Sequence, residues 1–318
     1  MFDPYRLNAT DLPPVGLGCA SISRDGTTDA QAEETILTAW QEGIRTFDTA
    51  PMYGNGLSEL RLGRTLAGVP RDDYVLSTKV GRLVDDVTAD GYGRGWHFDF
   101  TRDGILRSVE ASMQRLGIDR FDTLFIHDAD DNYESALHEA LPTLVDLRRQ
   151  GVVEAIGVGM TQAPLLARFG EEGEFDVFLL AGRYSLLNQD ALDELFDITQ
   201  ERGIAVQVAQ MLHGGLIEGA PDPQIFYRPV TAAEQAQVAR IAVVCQRFDV
   251  PLAAVAIQFP LTHPAVTGLL TGPATADQVC QNLGWLATPI PDELWTELKR
   301  EGLLPARVPV PGQQEDER

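Results

Sequence analysis

Eight short apolar runs, alternating with longer stretches of helical spacing, constrain this chain more than any other feature. They are Val15 to Gly18, Ile44 to Phe47, Tyr74 to Thr78, Thr123 to Ile126, Ala155 to Val158, Val177 to Leu180, Ile204 to Val208 and Val266 to Leu270. Short apolar runs punctuated by Gly and Pro, with amphipathic stretches between them, are the pattern of a parallel sheet covered by helices. The first predicted helix, Asp29 to Glu42, shows the local logic. Thr28 offers the N-cap oxygen, Gln31 completes a capping box, Ile36, Leu37 and Trp40 form the apolar stripe, and Gly43 supplies the left-handed stop. Further helices are expected at Ser58 to Ala67, Asp103 to Leu116, Gln162 to Phe169, Leu192 to Glu201, Ala232 to Phe248 and around Ala276 to Leu283. The stripe Leu141, Leu144, Val145 and Leu147 belongs to another outer helix. Eight parallel strands with intervening helices close into an α/β (β/α)8 TIM barrel. A doubly wound sheet uses fewer strands and opens on a Gly-rich phosphate loop. Gly16 with Gly18, and Gly91 with Gly93 and Gly95, read as turns rather than as such a loop. No internal repeat is visible. The predicted organisation is one barrel domain over residues 1–304, with a polar tail at 305–318 that frays or crosses the surface.

Composition narrows the class of partner. With 25 Lys+Arg against 47 Asp+Glu, the formal net charge of −22 repels phosphate backbones and anionic lipid surfaces, which argues against nucleic acid or membrane partners. No stretch approaches about 18 consecutive apolar residues. Met1 to Pro14 carries Asp3, Arg6, Asp11 and three prolines in place of a signal peptide's apolar segment. Cys19, Cys245 and Cys280 are odd in number and lack C-x-x-C spacing, as expected of reduced thiols in a cytoplasmic protein. The five histidines, at 97, 127, 138, 213 and 263, show no paired ligand spacing, so the expectation for metal is none. The expected partner is a small molecule, handled by a monomer or small homo-oligomer.

Barrel enzymes carry their reacting groups at the C-terminal ends of the strands. Ile-Arg-Thr-Phe ends in Asp48, Val-Leu-Ser-Thr ends in Lys79 and Leu-Phe-Ile ends in His127, while Tyr53 follows Asp48 in a loop that stands over the same mouth. A phenol with a pKa near about 10 is a poor proton acceptor at neutral pH, and an adjacent ammonium is the device that favours its anion. On this reading Lys79 lowers the Tyr53 pKa, Asp48 holds Lys79 by a salt bridge, and His127 contacts the substrate oxygen in a way that changes with pH near about 6.5. Tyr53 is then placed to exchange a proton with a hydroxyl or carbonyl.

Asp48 and Tyr53 within FDTAPMYGNGLSELRLGRTL, Lys79 within YVLSTKVGR and His127 within TLFIHD together resemble the Asp-Tyr-Lys-His tetrad of the aldo-keto reductases. The resemblance spans roughly Val15 to Leu298. IGVGM at 156–160, LLAGRYSLLNQ at 179–189 and PLAAVAIQFPLTHPAV at 251–266 are similar to its aldose 1-dehydrogenase branch, which includes galactose and fucose dehydrogenases and is similar to pyridoxal 4-dehydrogenase. The family implies a nicotinamide cofactor held by Gly18, Cys19, Asp48, Gly159, Met160, Thr161, Ala181, Gln210, Leu212, Gly214, Thr271, Gly272, Ala274, Thr275, Gln278 and Asn282. Three departures mark this chain. Gly159, Met160 and Ala181 stand where many members have Ser, Asn and Gln for the carboxamide, and Thr161 replaces an Asn found in the branch. His213-Gly214-Gly215 replaces an Asn-Ser-Gly phrase. The segment 271–282 contains no Lys or Arg, its cation positions being Gly272, Ala274 and Gln278, and Asp277 adds a like charge. A 2′-phosphate would find no charged partner there, so NAD is expected and NADP disfavoured.

Trp96 and His97 are expected to overhang the mouth, where the indole could stack on a sugar face. Arg183 rather than Tyr184 is expected to point inward from a strand ending at the same rim. The expected activity is NAD-dependent hydride transfer from the C1 hydroxyl of an aldose, giving the lactone. The alternatives are an NADPH-dependent reductase of small aldehydes or ketones and a cofactor-binding regulatory subunit with slow turnover.

Overall fold

A computed structural model describes residues 2–89, 92–225 and 228–312, so Gly91 and residues 313–318 of the tail lie outside the described residues. All eight apolar runs are strands: β1 Val15–Gly18, β2 Thr46–Asp48, β3 Val75–Val80, β4 Phe121–His127, β5 Val153–Met160, β6 Val177–Ala181, β7 Ala205–Ala209 and β8 Val266–Thr271. Each pairs in parallel with its neighbours, and β1 pairs with both β2 and β8, which closes the barrel. Strands buried on both faces read as nearly continuous apolar runs, and these do.

Alternation sorts each strand's side chains into two sets. One set, including Leu124, Ile126, Ile156, Val158, Phe178, Leu180, Val206 and Val208, joins the large core beneath the helices. The other, Phe125, Ala155, Val177, Leu179, Ala205 and Leu270, forms a second cluster inside the barrel. Near the N-terminal ends of the strands, Tyr5 donates its hydroxyl to Leu269 O at 2.9 Å and accepts from Gln207 Nε2 at 3.0 Å. The ring fills the space left by Gly268, where a Cβ would come within 2.2 Å of it. This N-terminal plug leaves the C-terminal ends of the strands as the rim where a site can form.

The helices begin where their caps place them. The Thr28–Gln31 capping box opens the helix Asp29–Gln41, Thr101 caps Arg102–Leu116, and Gly117 ends that helix in the left-handed conformation at φ 69°. The helix Leu141–Arg149 is preceded by a π-helical turn, Ala136–Ala140, and the helices Leu252–Gln258 and Asp292–Arg300 complete the outer layer beyond those the sequence predicted. Among the described residues, no single helix is long and apolar enough to cross a membrane. The tail does not fray at residue 305: Val308 and Val310 are buried and Arg307 pairs with Asp193 at 2.5 Å. Two apolar valines in a polar segment are enough to hold it against the barrel.

Candidate active site

Strand register assembles the site. Asp48 lies opposite Ser77 across β2 and β3, and Lys79, two residues further along β3, lies opposite Phe125 on β4; His127, two residues beyond Phe125, ends that strand opposite Gly159. Two-residue steps keep Asp48, Lys79 and His127 on the inner face, one layer above the interior cluster. Lys79 is 2 % exposed. Its Nζ donates to Asp48 Oδ2 at 2.7 Å and to Thr49 O at 2.9 Å, while the other Asp48 oxygen accepts from Ser77 Oγ at 2.7 Å.

Tyr53 stands on a short helical turn, Tyr53–Gly56, that the left-handed Gly54 and Asn55 bend over the mouth. Its ring lies with the Lys79 ammonium 4.7 Å from its centroid and meets the His127 imidazole edge-on at 6.1 Å. Lys79 pulls the phenol down, as expected, but burial outweighs it in this state and the Tyr53 pKa is pushed up to about 12. Burial also acts against the Lys79 charge, but Asp48 and Tyr53 outweigh it and hold the ammonium above its ordinary value. His127 is corrected as well. Burial, followed by the Lys79 and Arg82 charges, keeps it well below its ordinary value, so it is a neutral imidazole that does not titrate near about 6.5. Its buried Nδ1 has no hydrogen-bond partner among the described residues.

The residues expected around a cofactor fall into three groups. Gly18, Gly159, Thr161, Ala181, Gln210, Leu212, Gly214, Thr271 and Gly272 lie at or just beyond the C-terminal ends of β1, β5, β6, β7 and β8. Cys19 and Met160 are fully enclosed in the helical-side core, so neither side chain reaches the mouth and only their backbone can contribute. Thr275 caps the helix Ala276–Leu286, Gln278 folds its carboxamide oxygen onto Ala274 N–H at 2.7 Å, and Asn282 is buried on the same helix. Glycine at 18, 159 and 272 leaves a backbone-lined floor: a Cβ at Gly159 would stand 3.7 Å from Lys79 Cε, and one at Gly272 3.6 Å from Ser21 Oγ. A planar ring over the first and a phosphate near the capped helix N-terminus fit that floor. His213 turns away from it, buried, with Nε2 2.7 Å from Ser185 Oγ. The Ser185 oxygen already accepts from Leu187 and Asn188 N–H, so its proton goes to the imidazole. Burial lowers the His213 pKa to about 4, in keeping with an acceptor nitrogen.

The substrate expectations hold only in part. Trp96 lies on a hairpin, Arg82–Val84 paired with Trp96–Phe98, that projects beyond β3. Its indole covers the Arg82 guanidinium, with Cζ 4.7 Å from the ring centroid. His97 occupies the opposite face of the strand, where Nδ1 meets Asp85 Oδ1 at 2.6 Å and the ring lines a cavity with Ser108 and Arg107. Arg183 is not on a strand, because β6 ends at Ala181; in the following loop it pairs with Asp190 at 3.1 Å. Tyr184 packs outward against Phe196 and Phe259. Two rim residues were missed. Arg82 donates through Nη2 to Asp128 Oδ2, and Asp128 immediately follows His127. Both charges stand close after a tetrad residue, which is the signal that could have pointed to them.

The chain is similar over most of its length to several known proteins. The family model described as the aldo/keto reductase family matches residues 14–301. D-threo-aldose 1-dehydrogenase of Pseudomonas sp is 37% identical over 315 residues, covering 92% of this chain and 95% of that protein. Pyridoxal 4-dehydrogenase of Microbacterium luteolum is 36% identical, covering 94% and 97%. Among solved structures, the holo form of an aldo-keto reductase from Bacillus halodurans superposes with a TM-score of 0.76 at 26% identity, covering 95% of this chain and 96% of that one.

Proposed function

Because the chain belongs to the aldo/keto reductase family, and is therefore an oxidoreductase that uses a nicotinamide cofactor, we propose that it is an NAD-dependent aldose 1-dehydrogenase working through Asp48, Tyr53, Lys79 and His127. The observation that carries this reading is the position of Lys79, fixed by Asp48 on one side and facing Tyr53 on the other within a buried pocket at the barrel mouth. A nicotinamide cofactor held at the strand ends by residues such as Gly18, Gly159 and Gly272 would supply the hydride acceptor for the sugar's C1. The Tyr53 oxygen receives the proton of the C1 hydroxyl, and the Lys79 ammonium, close to the ring, stabilises the negative charge that a receptive phenol oxygen must carry. Neutral His127 donates a hydrogen bond to the substrate oxygen and fixes its direction. Loss of one hydride and one proton from the hemiacetal leaves the lactone. The same groups run the reverse step on a carbonyl.

Two features of the rim support NAD over NADP. No basic residue lies between Thr271 and Asn282, and Gln278 satisfies the Ala274 N–H that would otherwise be open to an anion. The expected result is an initial-rate preference for NAD of more than tenfold, the discrimination that a missing charge-assisted contact supplies at roughly 1.5–3 kcal/mol. A smaller preference counts against this reading. Oxidation is also expected to rise with pH between about pH 7 and about pH 10, because the phenol is pushed up to about 12 and its receptive form grows as protons are withdrawn. No inflection is expected near about 6.5, since His127 is already neutral there. A bell centred near neutrality would contradict both assignments.

The deciding experiment follows NADH absorbance with purified protein, NAD or NADP, and a panel of aldoses, pyridoxal and simple alcohols. NADH formation with one stereochemical class of sugar supports the proposal. Silence there, with NADPH consumed on small aldehydes, replaces it with a reductase.

A further inference from the structure

We propose that Asp128, positioned by Arg82, accepts a hydrogen bond from the hydroxyl next to the reacting carbon, making this chain selective for 2-hydroxylated aldoses. The inference rests on the aldose reading above and names the residues that enforce it.

Asp128 follows His127 at the end of β4 and adopts φ 43°, a left-handed conformation that Asp tolerates better than most residues. Its N–H is anchored on Gly159 O at 2.9 Å. The turn brings the carboxylate back beside the site, with Oδ2 3.7 Å from His127 Nε2. Arg82 takes Oδ2 through its Nη2. The other oxygen, Oδ1, accepts no hydrogen bond among the described residues, and the side chain keeps 21% of its surface exposed. A carboxylate pinned through Oδ2 by Arg82, with that oxygen near the imidazole that directs the reacting oxygen and Oδ1 left unbonded, is an acceptor for a neighbouring hydroxyl.

Arg82 is built to hold that carboxylate still. Its guanidinium lies against Trp96 and Phe98, 4.7 and 5.1 Å from their ring centroids, and Phe98 in turn stacks on Phe100 at 5.7 Å. Arg82 Nε is buried with no partner among the described residues, although the residue is only 9% exposed. A carboxylate oxygen left open on a side chain held in place is an acceptor that a polyol's neighbouring hydroxyl satisfies, and a simple aldehyde or alcohol leaves it unmet. Trp96 adds an exposed aromatic edge to the same hairpin. Sites that hydrogen-bond a substrate hydroxyl reject the analogue lacking it, because the site's own polar groups are left unpaired.

The test compares kcat/KM for D-arabinose and L-galactose with that for their 2-deoxy counterparts, in the wild type and in Asp128→Asn. The wild type is expected to prefer the 2-hydroxylated sugar about 10- to 100-fold, the worth of a hydrogen bond to a charged group. Asn keeps an acceptor for Arg82 but removes the charge, and the ratio is expected to fall to within about threefold. Should Asp128→Asn melt well below the wild type, Arg82→Lys gives the same readout, because Lys keeps the charge but loses the planar fork and the stacking. A wild type that oxidises aldoses without regard to the 2-hydroxyl overturns this inference alone, as does a variant that slows both sugars by one factor. A wild type that oxidises no aldose overturns the proposed function, and this inference with it.

Discussion

Replacing Tyr53 by Phe is expected to lower kcat for hydride transfer by about 10²- to 10⁴-fold, the range for loss of a positioned acid–base group. The expectation follows from geometry before acidity. The Tyr53 ring faces both the Lys79 ammonium and the His127 ring. Phe keeps the ring, its edge contact with His127 and its contact with Lys79, so packing changes little. Binding of NADH, followed by fluorescence, is expected to stay within about threefold of the wild type, since the contacts proposed for the cofactor lie on other loops. A variant that retains more than about a tenth of wild-type turnover would place the proton acceptor elsewhere, and His127, the neutral imidazole that meets the Tyr53 ring, would be next to examine.

The barrel was legible in the sequence, because strands enclosed on both faces stay mostly apolar or uncharged up to the rim, and the first ionisable side chain there is a reacting group: Asp48 after Phe47, Lys79 after Thr78, His127 after Ile126. The Tyr5 plug was not, since its hydroxyl bonds to a carbonyl 264 positions away and nothing local announces that pairing. The start of the helix ending at Arg149 was hidden by the π-helical turn Ala136–Ala140, which shifts the apolar stripe out of a 3.6-residue period. In the site, reference acidities misled for His127 and Tyr53, because a sequence shows which charges are near but not how much water is removed. The Arg82–Asp128 pair depends on the lateral register of β3 and β4, so its two members, 46 positions apart, carry no sequence sign of each other. Cys19 and Met160 fail for a different reason. Their positions in the chain suit a cofactor loop, while strand alternation turns their side chains to the helical layer.

Lys79→Met is the second large expected effect, and it separates what the ammonium does for the fold from what it does for the chemistry. In the wild type the Asp48 carboxylate is enclosed, with Lys79 and Ser77 as its side-chain partners. Removing the cation leaves a buried charge with one neutral donor, and breaking a buried pair in this way costs about 3–5 kcal/mol. A fall in Tm of roughly 4–8 °C is the corresponding change for a chain of this size. Adding Asp48→Asn removes the stranded charge, and the double variant is expected to recover most of that stability, because replacing both members of a buried pair costs far less than removing one. Activity is expected to follow the opposite rule. A nearby ammonium shifts a phenol by about 1–3 units, so the single variant loses about 10- to 10³-fold in oxidation at neutral pH, and the double variant regains none of it, since neutralising Asp48 does nothing to restore a positive charge beside Tyr53. Calorimetry and steady-state rates on the four proteins of this cycle give both answers. Recovery of activity along with stability would mean that Lys79 matters only as the partner of Asp48, and the phenol would need another source for its negative charge.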